Sequence, residues 1–384
     1  NEAKALGIAM GAPFFQWKAL AEKHGIVVLS SNYALYGELS ARLMRLLGTF
    51  SPRQEIYSID ESFLEVPVPS SQALSWGAEV RFRARRDLGL PVCVGIGPSK
   101  TLAKLCNQWA KKSRTADGVC AWESLPPATR KEWMENTEVS AVWGVGRRLA
   151  QSLQEHGIHS VADLRQTSKS WIRDHSGVVL ARTQQELRGI SCLDLEEIAP
   201  PQKQIQCSRS FGAPVTEFSD LLESLSMHTQ RGVEKLRRQG LWAQSVQVEM
   251  RSSPFREGYY QGIAARSLPY GTQPYRVLFD AVRAAAAEAY RPGVAYQKSG
   301  IWLSGLESAA TQTGDLFAAL DEAQEQRSDA LFAAFSAIRE RYGRQALGFG
   351  AVALQQARPW SMRTDRRSPG YLSDWQSLPV AYAR

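Results

Sequence analysis

Apolar residues Leu35, Leu39, Leu43, Leu46 and Leu47 recur at helical spacing and predict a helix over 33–47. Before it, residues 1–24 read as helix, turn, helix, punctuated by Gly7 and Gly11-Ala12-Pro13, and the apolar run 26–29 reads as a short strand. After Pro52 the pattern shortens. Residues 55–66 predict two short strands turning at Asp60-Glu61, and 71–88 a basic helix carrying Arg81, Arg83, Arg85 and Arg86. Residues 91–97 read as a buried strand. A helix opens just beyond it, with Pro98 at the entry and Ser99 as N-cap.

From 121 to 190 strand signals fade and short helices take over, and 191–202 read as a linker stopped by Pro200-Pro201. Residues 203–306 have a clear order: strand 204–211, helix 217–239, strand 245–250, strand 259–268, helix 274–290, strand 299–306. This β-α-β-β-α-β order is the split βαβ arrangement, two helices on one face of a sheet. Polar residues alternate on the other face, which leaves it free for a partner. In 307–384 one amphipathic helix is predicted at 328–342, through Leu331, Phe335, Ile338 and Tyr342, in an otherwise loose Arg, Ser and Pro-rich stretch. The chain is thus α+β and multidomain, as its 384 residues also suggest.

Charge adds a direction. The chain carries a net +8, and residues 203–306 hold 13 basic against 8 acidic residues while 307–384 are balanced. A basic middle segment points to an anionic partner, most plausibly nucleic acid. No run of 18 apolar residues is present, so a membrane-spanning helix is excluded, and no secretory signal opens the chain. Five scattered cysteines (93, 106, 120, 192, 207) form no CxxC pair. They read as small buried hydrophobes in a reducing compartment, and a cytoplasmic location is expected.

Two elements carry candidate chemistry. Asp60-Glu61 puts adjacent carboxylates on a tight turn. Such a pair is either a solvated turn or a site for Mg²⁺, a hard ion that takes few protein carboxylates. Trp143-Gly144-Val145-Gly146-Arg147-Arg148-Leu149-Ala150, followed by Leu153 and Gly157-Ile158, fits a helix-hairpin-helix that clamps a DNA backbone. The alternative is an ordinary packing unit. Lys4, Lys100, Lys104, Lys111 and Lys112 taken singly read as solvated. The histidines (24, 156, 159, 175, 228) form no constellation, and His156 and His159 read as surface residues beside the hairpin. Thr311 to Phe317 reads either as a linear segment that anchors in a partner's pocket or as the start of a tail helix.

In this order the pieces resemble the Y-family translesion DNA polymerases, most of all their UmuC-like branch. The residues that carry the resemblance are Asn1-Glu2-Ala3-Lys4-Ala5-Leu6-Gly7-Ile8, Ser30-Ser31-Asn32-Tyr33-Ala34-Leu35-Tyr36-Gly37 and Tyr57-Ser58-Ile59-Asp60-Glu61. Further ones are Gly95-Ile96-Gly97-Pro98-Ser99-Lys100-Thr101-Leu102-Ala103-Lys104-Leu105, Trp143-Gly144-Val145-Gly146 and Cys207-Ser208-Arg209-Ser210-Phe211-Gly212. The resemblance implies a right-hand polymerase: part of the fingers (1–30), palm (31–118), helix-hairpin-helix thumb (119–190), linker (191–202), little finger (203–306) and a tail (307–384). It implies that Asp60 and Glu61 are catalytic metal ligands for two Mg²⁺ ions, and that Lys4 and Lys111 reach the triphosphate of the incoming dNTP. Gly144, Val145, Gly146, Arg147 and Arg209 would bind primer-template DNA. Gln312, Leu316 and Phe317 resemble a sliding-clamp-binding peptide, with Gln312 one position early and Thr313 in the usual place of glutamine.

The same resemblance implies error-prone synthesis in the SOS response, with a UmuD-like accessory protein and a RecA filament as partners. The family's first palm strand, with its leading aspartate and aromatic steric gate, lies upstream of the fingers, where this sequence opens. The expectation is therefore that a preceding strand completes the metal site. Without it, the alternative is a non-catalytic remnant that binds damaged DNA.

Overall fold

The computed structural model describes residues 2–113, 116–198, 201–308, 322–343, 346–348, 360–361 and 365–372. These fall into two compact units, one of residues 1–200 with 366–384, the other of residues 201–365.

The first unit opens with α1 (Glu2–Ala5), α2 (Phe14–Lys23) and α3 (Tyr33–Leu47). Asn32 caps α3 by accepting from the Leu35 amide at 3.3 Å, while its Nδ2 donates to the Ser368 carbonyl at 3.1 Å. Residues 26–29 form no strand, contrary to their apolar pattern. A strand needs a hydrogen-bonding neighbour along its length, and here the described residues supply a single bridge, Ser30 to Arg367. Val27 is accordingly 81% exposed.

The hairpin forms as expected, from β1 (Gln54–Ile56) and β2 (Ser62–Leu64), paired antiparallel. Then come α4 (Ala73–Leu88), β3 (Val94–Ile96) and α5 (Lys100–Lys112). β3 is half-buried rather than buried, and it pairs in parallel with β4 (Val119–Ala121), a strand the pattern did not announce. Its three residues, Val-Cys-Ala, are too few to show a period. Gly95 lets α5 sit directly on β3: a Cβ there would lie 2.1 Å from the Asn107 nitrogen.

Helices α6 (Pro127–Glu135), α7 (Arg147–Glu155), α8 (Val161–Gln166) and α9 (Lys169–Leu187) follow, α9 being broken at Gly177 (φ 79°). One core joins them to α5, built on fully buried Leu102, Leu153, Leu164, Ile172 and Leu187. Each such side chain contributes about 1.5–3 kcal/mol by leaving water. Ser160 and Asp163 close a capping box on α8. Within the expected 191–202 linker, residues 192, 193 and 196 are held down. Glu186 accepts from the Cys192 and Leu193 amides at 2.9 and 3.1 Å, and Glu55 accepts from the Glu196 amide at 2.8 Å.

The second unit follows the expected order with longer strands: β5 (Gln204–Val215), α10 (Phe218–Gln239), β6 (Leu241–Ser252), β7 (Gln261–Thr272), α11 (Tyr275–Ala289) and β8 (Tyr296–Ser308). The sheet runs β5-β8-β6-β7 with every neighbour antiparallel. Each β-α-β pair is therefore split by one strand, as the sequence pattern implied. Leu221, Leu225, Val233 and Leu236 of α10 and Leu278, Val282 and Ala285 of α11 share one core with the inward residues of the sheet.

A last helix, α12 (Glu322–Tyr342), is longer than the pattern suggested and buries only Phe335 of the four residues on the expected face. Leu331 and Tyr342 are exposed, Phe335 is buried, and Phe332 packs on the core. Arg237 lies 4.5 Å above the Phe332 ring and Arg339 pairs with Glu234, so neighbouring charges select that face. Among the cysteines, Cys106, Cys120 and Cys207 are buried and Cys93 is half-buried, but Cys192 is exposed. No described helix is long and apolar enough to cross a membrane.

Candidate functional site

Ser58 organises the β1–β2 turn. The Tyr57 and Ser58 amides donate to the Glu61 carbonyl at 3.1 and 3.0 Å. The Ser58 hydroxyl accepts from the Asp60 and Glu61 amides at 3.2 and 3.1 Å and donates to Asp60 Oδ1 at 2.7 Å. Two adjacent carboxylates are thereby fixed at one end of a hairpin, Asp60 exposed and Glu61 half-buried.

Helix α5 lines this turn with cations. At 100° per residue, Lys100, Lys104 and Lys111 fall within about 40° of one another on the helix face. Lys104 Nζ lies 2.6 Å from Glu61 Oε1 and 5.2 Å above the Tyr57 ring. Lys100 is buried, forms an ion pair with Glu55, donates to the Asp194 carbonyl and lies 5.3 Å above Phe63. Lys111 is exposed in the last turn of the helix, about 10 Å along the axis from Lys104 at 1.5 Å per residue. Lys100 and Lys104 therefore correct the solvated reading. A single sequence cannot show that their partners arrive from a hairpin forty-odd positions away.

The start of α5 is held from two sides. The Ser99 hydroxyl accepts from the Leu102 amide at 3.3 Å. The fully buried Glu186 carboxylate accepts from the Thr101 amide and hydroxyl, both at 2.9 Å, at the positive end of the helix dipole. Tyr57, Phe63 and Trp143 form an aromatic cluster beside the turn, and Trp143 Nε1 donates to the Tyr57 hydroxyl at 3.1 Å.

As a donor set, Asp60 and Glu61 offer hard carboxylate oxygens, and among the described residues no third His, Cys, Asp or Glu joins them. Two carboxylates suit Mg²⁺, which keeps several waters and completes its shell with substrate oxygens. The residues present fit such an ion once Lys104 releases Glu61.

Residues 1–108 match the impB/mucB/samB family, residues 202–316 its C-terminal domain, and residues 127–158 the IMS family HHH motif. Residues 329–381 match a domain of unknown function, DUF4113. Protein MucB of Salmonella typhimurium is 37% identical over 99% of this chain and 89% of its own length. The chain belongs to the impB/mucB/samB family. Protein UmuC of Salmonella typhimurium strain LT2 is also 37% identical, over 98% of this chain and 89% of its own. DNA polymerase IV of Corynebacterium diphtheriae is 30% identical over 80% of this chain and 66% of its own. A Y-family DNA polymerase chimera, Dbh-Dpo4-Dbh, shares the fold, with TM-score 0.59 at 19% identity over 80% of this chain and 86% of its own.

In this impB/mucB/samB protein the Gly144-Val145-Gly146 turn precedes α7. Gly144 has φ +88°, Val145 is buried, and Gly146 is the N-cap, offering no side chain to satisfy the first amides of the helix. Gly146, Arg147 and Arg148 are exposed at the positive end of the dipole, where an anion is stabilised.

Arg209 sits elsewhere than on the open sheet face. It is paired across β5–β8 with Ser299, whose hydroxyl is 2.9 Å from Ser224 of α10. Directly opposed residues share a face, so Arg209 is on the helix-covered side. The open face carries Lys298, paired opposite Arg251, two cations that sequence alternation alone did not single out. Lys4 is exposed on α1. Gln312, Leu316 and Phe317 lie outside the described residues.

Proposed function

We propose that the chain is a DNA-directed DNA polymerase of the Y-family, UmuC-like kind, which copies damaged templates with dNTPs. The observation that carries this is the meeting of Asp60-Glu61 with the cationic face of α5: carboxylates for a divalent metal beside ammonium groups for a triphosphate. Asp60 and Glu61 would hold Mg²⁺ in a two-metal centre. A bound ion there supplies Lewis-acid stabilisation of the charge that develops on the transferring phosphate.

The chain's own groups do the rest. Ser58 orients Asp60, and Lys104 holds Glu61 in place until a cation replaces it. Lys111 and Lys4 would take the triphosphate oxygens, Lys being a mobile point charge suited to that task. The α7 amides with Arg147, and the Lys298–Arg251 face of the sheet, would hold the DNA backbone without reading sequence. The resemblance further supports an SOS role in the cytoplasm, with a sliding clamp engaged through Gln312, Leu316 and Phe317, a UmuD-like protein and a RecA filament.

The test is primer extension past an abasic site, with Mg²⁺, by the protein expressed from its complete coding sequence. Extension that disappears in Asp60→Ala and in Glu61→Ala, with DNA binding and unfolding midpoint unchanged, supports the reading. Extension that survives both substitutions removes these residues from the chemistry. A parent protein that never extends a primer, yet binds DNA with a steep salt slope, is a non-catalytic DNA-binding protein instead.

A further inference from the structure

His156 and His175 are 19 positions apart in sequence, on α7's C-cap and on α9, yet their rings stand 5.8 Å apart between centroids. Both are exposed. Each ring is tied by Nδ1 to the backbone carbonyl four residues earlier, His156 to Ser152 at 2.8 Å and His175 to Trp171 at 2.9 Å. A carbonyl oxygen only accepts, so each Nδ1 carries the proton and donates. In the neutral ring the lone pair is then on Nε2. Neither Nε2 has a hydrogen-bond partner among the described residues. Trp171 fixes both rings, stacked on His175 at 4.2 Å and edge-on to His156 at 5.3 Å.

We infer that His156 and His175 form a two-histidine site for a first-row transition-metal dication such as Zn²⁺, bound through the two Nε2 atoms. The spacing is right for it. A ring nitrogen binds such an ion at about 2.0–2.1 Å, which puts each ring centroid about 3.2 Å from the metal. Two rings on one ion then stand about 5.2 Å apart at a tetrahedral angle and about 6.4 Å apart in a line. The observed 5.8 Å falls between them.

The Nδ1–H bond to a carbonyl is the outer contact that metal-binding histidines use to fix tautomer and ring plane. Imidazole ligands select Zn²⁺, Ni²⁺ or Cu²⁺ over the Mg²⁺ that the hairpin carboxylates suit. Both rings being exposed, water would fill the remaining coordination positions. The ion would staple the C-terminal end of α7 to the first half of α9, and α7 is the helix whose N-terminus carries the Gly144–Gly146 turn.

Titration calorimetry with ZnCl₂ on the full chain tests this, with His156→Gln, His175→Gln and, as a control outside the pair, His159→Gln. The expected result is one equivalent of Zn²⁺ in the parent and in His159→Gln, weakened at least tenfold by either pair substitution. Equal stoichiometry and affinity in all four proteins overturns the site. Hydrogen exchange on the unmutated chain is independent of any effect of substitution on folding. Zn²⁺ should slow amide exchange over 147–155 and 169–176, and an unchanged pattern at saturating Zn²⁺ also overturns the proposal.

Discussion

Lys104 Nζ lies 2.6 Å from Glu61 Oε1, so one oxygen of the half-buried hairpin carboxylate is occupied by an ammonium group from α5. The pair is partly exposed, at 22% and 38% of the side-chain surface, and screening by water keeps its contribution to stability at about 0–1 kcal/mol. Its consequence is competition. A divalent ion at Glu61 has to displace Lys104. Lys104→Ala is expected to leave the unfolding free energy within about 1 kcal/mol of the parent. It should also lower the Mg²⁺ concentration that half-saturates primer extension. An unchanged half-saturation in a Mg²⁺ titration would show that the lysine does not compete.

The buried ion pair beneath it behaves differently. Lys100 and Glu55 are 9% and 8% exposed, and Glu55 also accepts from the Glu196 amide. Glu55→Ala leaves an ammonium without its counter-charge and is expected to cost about 3–5 kcal/mol in chemical denaturation. Replacing both, as Glu55→Leu with Lys100→Met, should recover a large part of that loss. A double variant no more stable than Glu55→Ala would place the penalty in the lost backbone anchor instead.

Gly95 sets where α5 sits. A Cβ there would meet the Asn107 nitrogen at 2.1 Å and the Ala103 carbonyl oxygen at 2.2 Å, both backbone atoms with no side-chain freedom to yield. Gly95→Ala must push α5 off β3, at about 1–3 kcal/mol or more. Because Lys100 and Lys104 travel with the helix, extension activity should fall together with stability. Stability and activity that both match the parent would show that β3 and α5 do not need this approach.

His228 makes the second unit sensitive to acid. It is buried on α10, and burial, reinforced by the positive charges of Arg231, Arg209 and Lys298, pushes it down to about 3. The unfolded chain takes up this proton near the ordinary value of about 6.5. The folded chain does so only near 3. Between these values the unfolded state binds more protons. Stability is therefore complete above about pH 6.5 and falls on acidification, by at most about 1.4 kcal/mol per pH unit. Urea unfolding at several pH values should show this slope, and His228→Leu should flatten it. An equally steep slope in the variant would assign the acid sensitivity to other groups.

Much of the fold was legible in the residues. The β-α-β-β-α-β order of the second unit, the helix at Tyr33–Leu47, the Ser99 cap and the turn between β1 and β2 all follow from periodicity and capping, which act over a few positions. The adjacency of Asp60 and Glu61 and the Gly144-Val145-Gly146 turn are likewise local, so the sequence showed them without a structure.

What the tertiary structure decided involves partners distant in the chain. It gave residues 26–29 no strand partner, packed Phe332 of α12 on the core beside the expected Phe335 while leaving Leu331, Ile338 and Tyr342 exposed, and put Arg209 on the covered face through its pairing with Ser299. It joined Lys104 to Glu61, Lys100 to Glu55 and His156 to His175. A lysine or a histidine on a helix carries no local sign of its partner. A contact of a few ångströms between residues 19 to 45 positions apart exists only once the packing of the core has brought their elements together.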